Sequence, residues 1–484
     1  MFLLVIADGL VGVNGEWVQK YGDLYNSNCS ESTNDHHEGL VNWRFETEKE
    51  IRSVPVFLPD GRLVFCGTAR DLYCVDRNGF PSWSVNLGWD YHYRVDSLHP
   101  SLAVLKDGNI ILGNSLWIDS YDTNGIRQWT DKEYSVNPNT GIKIDDQERM
   151  YFSNKSKLVC IDRDRKLLSS TELGNFSYST PAIMNNGTII TTDRTGNVYS
   201  VYPNGSIKWK VDLDTRIYSS PVIFDRTRIL IPTTDENESG RLFMFDDIGQ
   251  EIWNISFVSP IISSPSYDKN GNIFIGCFDR NVYCISGSGE EVWSFATGCH
   301  EITTPLIDGA GNIIFVSGED EWEGYCYSLD TYGKMNWKVR VDGSSPGMTI
   351  DEKGIIYFGT KGGTFYSMIG DDRIVPRKLL GFRTYDHVDG IYLTWKNTNI
   401  DGGPAVDKIR IYRSFNGNEF VNVYYVDGHA EEFFDEDVVD GITYGYYLEP
   451  VNNYGSGEIT DIRWGELKEV YESDEEERCG PLCI

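Results

Sequence analysis

The sequence lacks several features that would assign it to a common functional class. It has no run of about twenty apolar residues, the length that a helix needs to cross a bilayer. It has no Gly-x-x-x-x-Gly-Lys-Ser/Thr loop to hold a nucleotide. Its seven histidines are scattered, and only His36-His37-Glu38 cluster, without a second paired set of ligands. Nucleotide chemistry and a transition-metal site are therefore not indicated.

Positive charge is also scarce. The 484 residues include 73 acidic and 43 basic side chains, which gives a formal net charge of -30 at neutral pH. Such a charge repels phosphate backbones and anionic lipid headgroups at long range. We therefore expect neither nucleic acid nor direct membrane insertion, and we interpret most carboxylates as a solubilising surface.

The N-terminus gives only weak evidence of export. The apolar run from Phe2 to Ala7 ends at Asp8, no Lys or Arg precedes it, and the first cysteine is Cys29, too distant for lipid attachment. Seven Asn-x-Ser/Thr triplets matter only if the chain is exported. They begin at Asn28, Asn154, Asn175, Asn186, Asn204, Asn237 and Asn254.

Ten cysteines leave two interpretations open. Cys74, Cys160 and Cys284 occupy the same position of a repeat, which favours small buried packing residues. Disulfides are the alternative. The candidate pairs are Cys66 with Cys74, Cys277 with Cys284, and Cys479 with Cys483.

Aromatic residues and glycine are abundant, with 29 Tyr, 22 Phe, 13 Trp and 48 Gly. This composition is typical of short strands joined by tight turns, so it predicts an all-β fold. A unit of about forty residues repeats along the chain, and its period falls in the range of propeller blades. A proline marks each unit at Pro55, Pro100, Pro138, Pro181, Pro221, Pro265, Pro305 and Pro346. A tryptophan ends most units, at Trp43, Trp83, Trp129, Trp209, Trp253, Trp293 and Trp337, and Leu167-Leu168 stand in the missing place.

The two series are offset by one strand. Trp43 precedes the first proline, and the last proline unit, which ends near Tyr366, has no tryptophan after it. A ring of sheets must pair its last sheet with its first strand or leave an open edge. The offset therefore predicts an eight-bladed β-propeller that is closed by the strand carrying Trp43.

These units resemble the pyrroloquinoline-quinone-type propeller repeat of quinoprotein dehydrogenases and of outer-membrane assembly lipoproteins. The resemblance covers about Trp17 to Met368 and includes the entry residues Trp17, Gly22, Asn26 and Asn42-Trp43-Arg44-Phe45. It implies the propeller architecture. It implies no single activity, because the repeat is structural.

The period is lost from Pro376, and a second strand pattern begins. Ile391 to Trp395 and Ile409 to Arg413 alternate, and a Tyr-rich strand follows Thr443. The segment resembles a fibronectin type III module, an immunoglobulin-like β-sandwich, which implies that Trp395 is its core tryptophan, Asp440 to Tyr444 its tyrosine corner and Val451 to Gly455 a late turn. The predicted organisation is an N-terminal extension (1–39), the propeller (40–372), the sandwich (376–465) and an acidic tail (466–484).

No catalytic, cofactor-binding or metal-binding residue is predicted. Quinone-dependent dehydrogenases resemble each other in a pair of adjacent cysteines, and no Cys-Cys dipeptide occurs here. Gly343-Ser344-Ser345-Pro346-Gly347 matches a nucleophile elbow by letter, but Ser-Ser-Pro recurs as the opening of other units. The calcium-like run that begins at Asp268 has the register of a hairpin turn.

Candidate partner-binding residues lie instead in aromatic, polar stretches between repeats. They are Trp89, Tyr91, Tyr93 and Trp322. Connecting loops are where propellers carry recognition residues, so we expect these side chains to contact a protein or a glycan, or else to pack against another segment of the chain.

The sequence thus favours a non-catalytic structural or interaction protein. We expect no cofactor, and partners that are other proteins of an assembled surface, such as a virion or a cell envelope. An extracellular or particle-surface location is favoured, and a cytoplasmic one stays open. The alternative is a quinone-dependent dehydrogenase or another propeller enzyme.

Overall fold

The computed structural model describes residues 17, 19–32, 39–47, 49–68, 71–87, 100–235, 239–319, 323–369, 378–387, 389–396, 406–417, 420–452, 455–457 and 459–466. Every regular element within these ranges is a β-strand, which confirms the predicted all-β class. In the same ranges no helix is long and apolar enough to span a bilayer. The chain divides into two compact units, 1–371 and 372–484.

The first unit contains eight antiparallel sheets, numbered here in chain order. Sheet 1 holds β2 (Val56–Phe57), β3 (Leu63–Cys66), β4 (Asp71–Val75) and β5 (Pro81–Asn86). Sheet 2 holds β6 (Ser101–Val104), β7 (Ile110–Gly113), β8 (Ile118–Tyr121) and β9 (Arg127–Asp131). Sheet 3 holds β10 (Lys143–Ile144), β11 (Met150–Asn154), β12 (Lys157–Ile161) and β13 (Leu167–Glu172). Sheet 4 holds β14 (Ala182–Ile183), β15 (Ile189–Thr192), β16 (Asn197–Val201) and β17 (Ile207–Asp212).

The remaining four sheets follow the same order of strands. Sheet 5 holds β18 (Val222–Phe224), β19 (Arg228–Thr234), β20 (Gly240–Phe245) and β21 (Glu251–Phe257). Sheet 6 holds β22 (Ser266–Tyr267), β23 (Ile273–Cys277), β24 (Asn281–Ile285) and β25 (Glu291–Ala296). Sheet 7 holds β26 (Glu301–Ile302), β27 (Leu306–Ile307), β28 (Ile313–Glu319), β29 (Glu323–Leu329) and β30 (Met335–Val341). Sheet 8 holds β31 (Met348–Ile350), β32 (Ile356–Gly359), β33 (Thr364–Ile369) and β1 (Leu40–Glu46).

Aspartate side chains close most hairpins of this unit. Asp268 is representative, because its Oδ1 accepts the main-chain N–H of Asn270 at 2.9 Å and that of Asn272 at 2.8 Å. Its Oδ2 accepts the Asn272 side-chain amide at 2.9 Å. The calcium-like run of the sequence is therefore an Asx turn whose carboxylate is used by the chain itself.

The repeated tryptophans join each sheet to the next one. Trp253, on the fourth strand of sheet 5, donates its Nε1–H to Gly287 O in the last hairpin of sheet 6 at 3.1 Å. A Cβ added at Gly289, where φ is +88°, would lie 2.8 Å from the same indole ring. Because glycine has no side chain, the indole ring can lie flat on the turn, and the turn carbonyl fixes the orientation of the ring. Four other tryptophans make the same bond to the following sheet: Trp43 to Arg77 O, Trp83 to Thr123 O, Trp209 to Asp247 O and Trp293 to Thr331 O.

Three junctions depart from this pattern, and two of them lie on either side of sheet 3. Trp129 faces a turn in which Arg165, at φ +68°, replaces the glycine, and the guanidinium lies 5.3 Å from the ring centroid. Sheet 3 has no tryptophan, and there the Thr171 hydroxyl donates to Gly205 O of sheet 4 at 2.7 Å. At these two junctions the contact with the following sheet is of another kind: a cation–π contact at Trp129 and a hydroxyl-to-carbonyl hydrogen bond at Thr171.

Sheet 8 is assembled from both ends of the unit. β1 pairs with β33 from Leu40↔Ile369 to Glu46↔Thr364. The Phe65 ring of sheet 1 stacks on Phe365 of sheet 8, with centroids 4.0 Å apart. The sheets therefore contact one another in a closed cycle, with sheet 8 against sheet 1.

Trp337 marks the junction between sheets 7 and 8. No hairpin joins β33 to β1, since these strands come from distant parts of the chain. Gly39, just before β1, takes the place of the turn glycine, and a Cβ there would lie 2.5 Å from the Trp337 ring. Trp337 is 5% exposed, and its Nε1–H has no hydrogen-bond partner. The indole N–H of Trp337 has no acceptor because no hairpin turn follows here to supply a main-chain carbonyl.

The segment 17–32 lines the inner strands of the cycle. Its main-chain carbonyls accept N–H bonds from four sheets: Trp17 O from Phe57, Leu24 O from Ile183, Tyr25 O from Ile223 and Asn28 O from Ile307. The Gln19 side chain also accepts the Ile144 N–H at 2.9 Å. We call residues 17 and 19–32 the plug, because they cross the space that the inner strands enclose.

The cysteines that the structure describes are all free thiols, and seven of the eight are buried. The hairpin registers explain why two candidate disulfides do not form, since Cys66 pairs with Leu72 and Cys74 with Val64. Cys277 and Cys284 are likewise opposite Asn281 and Phe274. Burial raises the pKa of the Cys160 thiol to about 11, so it stays protonated at neutral pH. Cys479 and Cys483 lie outside the described residues.

The second unit contains two sheets. One holds β34 (Leu380–His387), β35 (Gly390–Lys396) and β38 (Glu432–Asp435). The other holds β37 (Val421–Asp427), β36 (Lys408–Phe415), β39 (Thr443–Asn452), β40 (Gly455–Ser456) and β41 (Arg463–Glu466), with β40 and β41 both paired to β39. Trp395 is 3% exposed in its core and donates its Nε1–H to Ala430 O at 2.7 Å. The Tyr444 hydroxyl accepts the Val439 N–H at 3.0 Å.

Candidate functional site

A cavity of about 420 Å³ opens inside the cycle of the first unit. Residues of each of the eight repeats line its wall, most of them in the segments that lead into the inner strands, and Lys20 and Tyr21 of the plug form its floor. Only a position on the axis of a ring touches all of its members. The volume lies within the range of small-ligand pockets.

A belt of hydroxyl groups builds the wall. Before three of the prolines, a hydroxyl accepts a main-chain N–H from the equivalent residue of the preceding sheet: Thr180 N–H to Ser220 Oγ at 2.9 Å, Ser220 N–H to Ser264 Oγ at 3.0 Å, and Ser264 N–H to Thr304 Oγ1 at 3.2 Å. The recurring Ser/Thr-Pro dipeptides therefore supply hydroxyls that form hydrogen bonds between neighbouring sheets. Ser344, the elbow-like serine, belongs to the same wall and donates to the Glu301 carboxylate.

The floor is a tight turn of the plug. Gly22 N–H donates to Gln19 O at 3.0 Å, and Tyr21 has the unusual φ of +64° for a bulky side chain. The Tyr21 hydroxyl lies 3.1 Å from Ser264 Oγ. Burial would raise the pKa of Tyr21, but the Lys20 charge and the hydrogen bonds from Ser264 and Ser220 outweigh it, so the net pKa is lowered.

A buried lysine holds this turn from below. Lys143 begins the inner strand of sheet 3 and is 0% exposed. Its Nζ donates to Lys20 O at 2.6 Å and also to Asp23 O. Burial lowers the pKa of Lys143 to about 7, and the nearby Asp23 carboxylate partly opposes that shift. Lys143 thus ties the plug to the wall.

Basic side chains predominate in the cavity. Lys20, Arg52 and Lys361 line it, and Glu301 is its one acidic lining residue among those that the structure describes. Lys361 Nζ lies 2.5 Å from Glu301 Oε2, and Arg52 pairs with Glu50 just outside. Even with both pairs counted, one cation remains in excess inside a chain of net charge -30.

Two aromatic rings line the side that sheets 4 and 5 provide. Tyr178 and Tyr218 have ring centroids 5.9 Å apart, and Phe176 lies 5.1 Å from Tyr178. The Arg194 guanidinium lies 5.8 Å from the Tyr218 centroid. The cavity is therefore charged on the side of sheets 7, 8 and 1 and aromatic on the opposite side of the cycle.

The described residues that line this cavity were not predicted from the sequence. Trp89, Tyr91, Tyr93 and Trp322 lie outside the described residues. The repeated tryptophans lie at the junctions between sheets. Sequence reasoning missed Lys20, Tyr21, Lys143, Glu301 and Lys361, although a charged residue at a repeat position that is otherwise apolar, as at Lys143, is a readable signal.

The side chains of the cavity are suited to binding. Most of its Ser and Thr hydroxyls are engaged by main-chain groups, as Ser219 is by Pro232 O and Thr303 by the Val316 N–H, and Ser344 is engaged by Glu301. Among the described residues that line it there is no histidine and no cysteine. Over the ranges that the structure describes, no three His, Cys, Asp or Glu side chains are grouped to hold a metal ion. Amines, a guanidinium, hydroxyls and two phenol rings can together hold an anionic or hydroxyl-rich group.

No family model and no curated protein matches this sequence. Solved structures do share its fold. BamB from Moraxella catarrhalis superposes with a TM-score of 0.52 at 13% identity, over 68% of this chain and 97% of that one. A europium-containing methanol dehydrogenase gives 0.59 at 10% identity, over 73% and 98%. The propeller of Dos1 gives 0.55 at 11% identity, over 67% and 93%. This likeness shows that the chain contains a β-propeller of the type found in these proteins.

Proposed function

We propose that the protein is a non-catalytic interaction protein, and that an acidic segment of a protein partner docks in the axial cavity. The eight sheets are the blades of one propeller that its N-terminal strand closes. The observation that carries the proposal is the excess of basic over acidic lining residues in a strongly acidic chain. Charge complementarity favours an acidic partner group in this cavity, while the net charge of the chain repels it elsewhere.

The Lys361–Glu301 pair gives the sharpest test of this docking mode. Glu301 competes with any incoming carboxylate for Lys361. We expect the substitution Glu301→Gln to free the amine and tighten binding of a fluorescent hexaglutamate peptide by about three- to tenfold, since tenfold corresponds to about 1.4 kcal/mol. The substitution Lys361→Ala should weaken it by about tenfold or more. Fluorescence anisotropy of the full chain at low salt measures both.

Lys353→Ala is the matched control, because Lys353 is exposed and does not line the cavity. The affinity of this variant for hexaglutamate should equal that of the unmodified protein. Added salt should weaken binding in every variant, since these charges are partly exposed. Equal affinities for Glu301→Gln, Lys361→Ala and the unmodified chain would overturn the proposal.

The second unit has a role in the same assembly. Two packed sheets, the buried Trp395 and the Tyr444 corner support a fibronectin type III-like module, which would space or orient the propeller. We propose that the partner and this protein belong to a virion or cell-envelope surface. That location is extracellular or on a particle.

A quinone-dependent dehydrogenase is the second candidate, since one structural neighbour is a methanol dehydrogenase. The described residues do not fit such a cofactor well: the chain has no adjacent cysteines, and Glu301, the acidic lining residue, is engaged by Lys361 and Ser344. Dye-linked alcohol oxidation after addition of pyrroloquinoline quinone with calcium or a lanthanide would contradict a non-catalytic role.

A further inference from the structure

One sheet of the second unit carries four aromatic rings on its outer face. Tyr412 and Tyr447 are cross-strand partners on β36 and β39, and their rings stack with centroids 4.5 Å apart and planes 15° apart. Phe420 lies 5.0 Å from Tyr447 and 6.4 Å from Trp464. We call these four residues the aromatic face. The inner face of the same sheet is buried and holds Ile409, Ile411, Tyr446 and Leu448.

Trp464 presents a flat surface to solvent. It is opposite Gly445, and a Cβ added at Gly445 would lie 2.8 Å from the indole. The ring therefore rests on the main chain where a side chain is missing, an arrangement that also helps to hold the strands in register. Its other side is open, since Trp464 remains 48% exposed. Packing on Gly445 uses only one face of the indole ring, so it does not account for the exposure of the other face.

Polar groups lie beside the rings and are electrically balanced. Arg410 Nη1 lies 3.2 Å from Glu449 Oε2, and the Tyr412 hydroxyl donates to the same carboxylate oxygen at 2.9 Å. The Arg410 Nε–H is buried and has no hydrogen-bond partner. The Arg410 and Glu449 side chains are themselves 33% and 15% exposed, so a donor and an acceptor lie at the edge of the aromatic face without net charge, although the Nε–H is out of reach of a ligand.

We propose that the aromatic face binds a neutral glycan. Pyranose rings present C–H groups on one flat side, which pack on the electron-rich face of an aromatic ring. Their hydroxyls both donate and accept, and so match the arginine, carboxylate and phenol groups beside the rings. An anionic glycan is disfavoured by the net charge of -30.

A peptide is a poorer occupant of this surface. Extended peptides gain most of their affinity by pairing main-chain groups with a free strand edge. β36 lies between β37 and β39, and β39 lies between β36 and the β40 and β41 strands, so the two strands that carry Tyr412 and Tyr447 have strand neighbours on both sides in the described part of the sheet. This site is independent of the axial cavity, and it gives the second unit a binding activity beyond the docking role proposed above.

Affinity electrophoresis of the full chain tests this inference. Native gels are cast with soluble hydroxyethyl cellulose, with yeast mannan or with no polysaccharide, and the mobility of each variant is compared with a reference protein. We expect at least one polysaccharide to retard the unmodified chain. Trp464→Ala should weaken that retardation at least tenfold, expressed as a dissociation constant, and Trp464→Phe should keep part of it because a flat ring remains.

Tyr332→Ala is the control, since Tyr332 is an 85% exposed ring in a hairpin of the first unit. Its retardation should be unchanged, and thermal melting should show that each variant is folded. Unretarded migration in both polysaccharides, or equal retardation of Trp464→Ala and the unmodified chain, would overturn the inference. Displacement by a proline-rich peptide but by no oligosaccharide would also overturn it. None of these results depends on hexaglutamate binding.

Discussion

A chain that begins at residue 48 should fail to form a cooperatively folded first unit. The deletion removes β1 and leaves β33 with an unpaired edge, which favours aggregation. It also removes five large apolar side chains from the packing between sheets: Trp17, Tyr21, Val41, Trp43 and Phe45. Trp17 and Tyr21 are buried and the other three are partly buried. At about 1.5–3 kcal/mol for a fully buried side chain, the loss is several kcal/mol, a large part of the whole stability of a domain.

Urea unfolding followed by far-ultraviolet circular dichroism measures this effect. The unmodified chain should show a sharp transition, and the truncated chain should show none or should sediment as aggregate. Co-expression of residues 17–47 as a separate polypeptide is the control, because it supplies the missing strand and plug in trans. We expect it to restore a soluble complex. A truncated chain with the midpoint of the unmodified protein would contradict closure by β1.

The second large effect is expected at Lys143. The substitution Lys143→Met keeps the length of the side chain but leaves the carbonyls of Lys20 and Asp23 without their donor, and the buried Asp23 carboxylate without its closest cation. Removing one partner of a buried polar cluster costs about 3–5 kcal/mol. Trypsin should also cleave after Lys20 faster, because the plug is then held less firmly.

Lys106→Met is the matched control for this substitution. Lys106 also donates to a main-chain carbonyl, Asp146 O at 2.8 Å, but it is exposed. Its loss should change the free energy of unfolding by less than about 0.5 kcal/mol. Equal urea midpoints for Lys143→Met and Lys106→Met would show that Lys143 does not hold the plug.

The effect of Lys143→Met should also depend on pH. The folded-state pKa of about 7 lies below the unfolded value of about 10.4, so above pH 7 the unfolded chain binds more protons than the folded one. The unmodified protein therefore gains stability relative to Lys143→Met as the pH rises. Between pH 6 and 8 the difference in unfolding free energy should grow by about 1 kcal/mol. A difference that shrinks over this range would mean that burial does not depress the pKa.

Local and repeated features were predictable from the sequence. The offset between the proline and tryptophan series placed Trp43 on a strand that needed a partner, because an unpaired sheet edge is unfavourable. The hydrogen bond from the Val439 N–H to the Tyr444 hydroxyl is local for a different reason, since it spans only five residues. The outward rings of Tyr412 and Tyr447 alternate with buried residues, but only the strand order shows that they are neighbours.

The axial cavity was not predictable, because its residues are far apart in the sequence. They come from all eight repeats and from the plug, which has no repeated sequence. Lys143 is stabilised by carbonyls more than a hundred positions earlier, and no local pattern encodes such a contact. The candidate disulfides were wrong for the described cysteines for a related reason. Spacing suggested that Cys66 faces Cys74, but the register of the hairpin places each opposite another residue.

Ring closure is the claim on which the cavity, the plug and the proposed docking mode all depend, and a designed cross-link tests it most directly. Glu46 and Thr364 are register partners on β1 and β33, and Thr364 Oγ1 lies 2.9 Å from Glu46 Oε2. We expect the double variant Glu46→Cys, Thr364→Cys to form an intramolecular disulfide under mild oxidation, mapped by mass spectrometry of tryptic peptides. Glu46→Cys with Glu172→Cys on sheet 3 should form none. Absence of the 46–364 link, or a link only between two chains, would contradict a propeller closed by its own N-terminal strand.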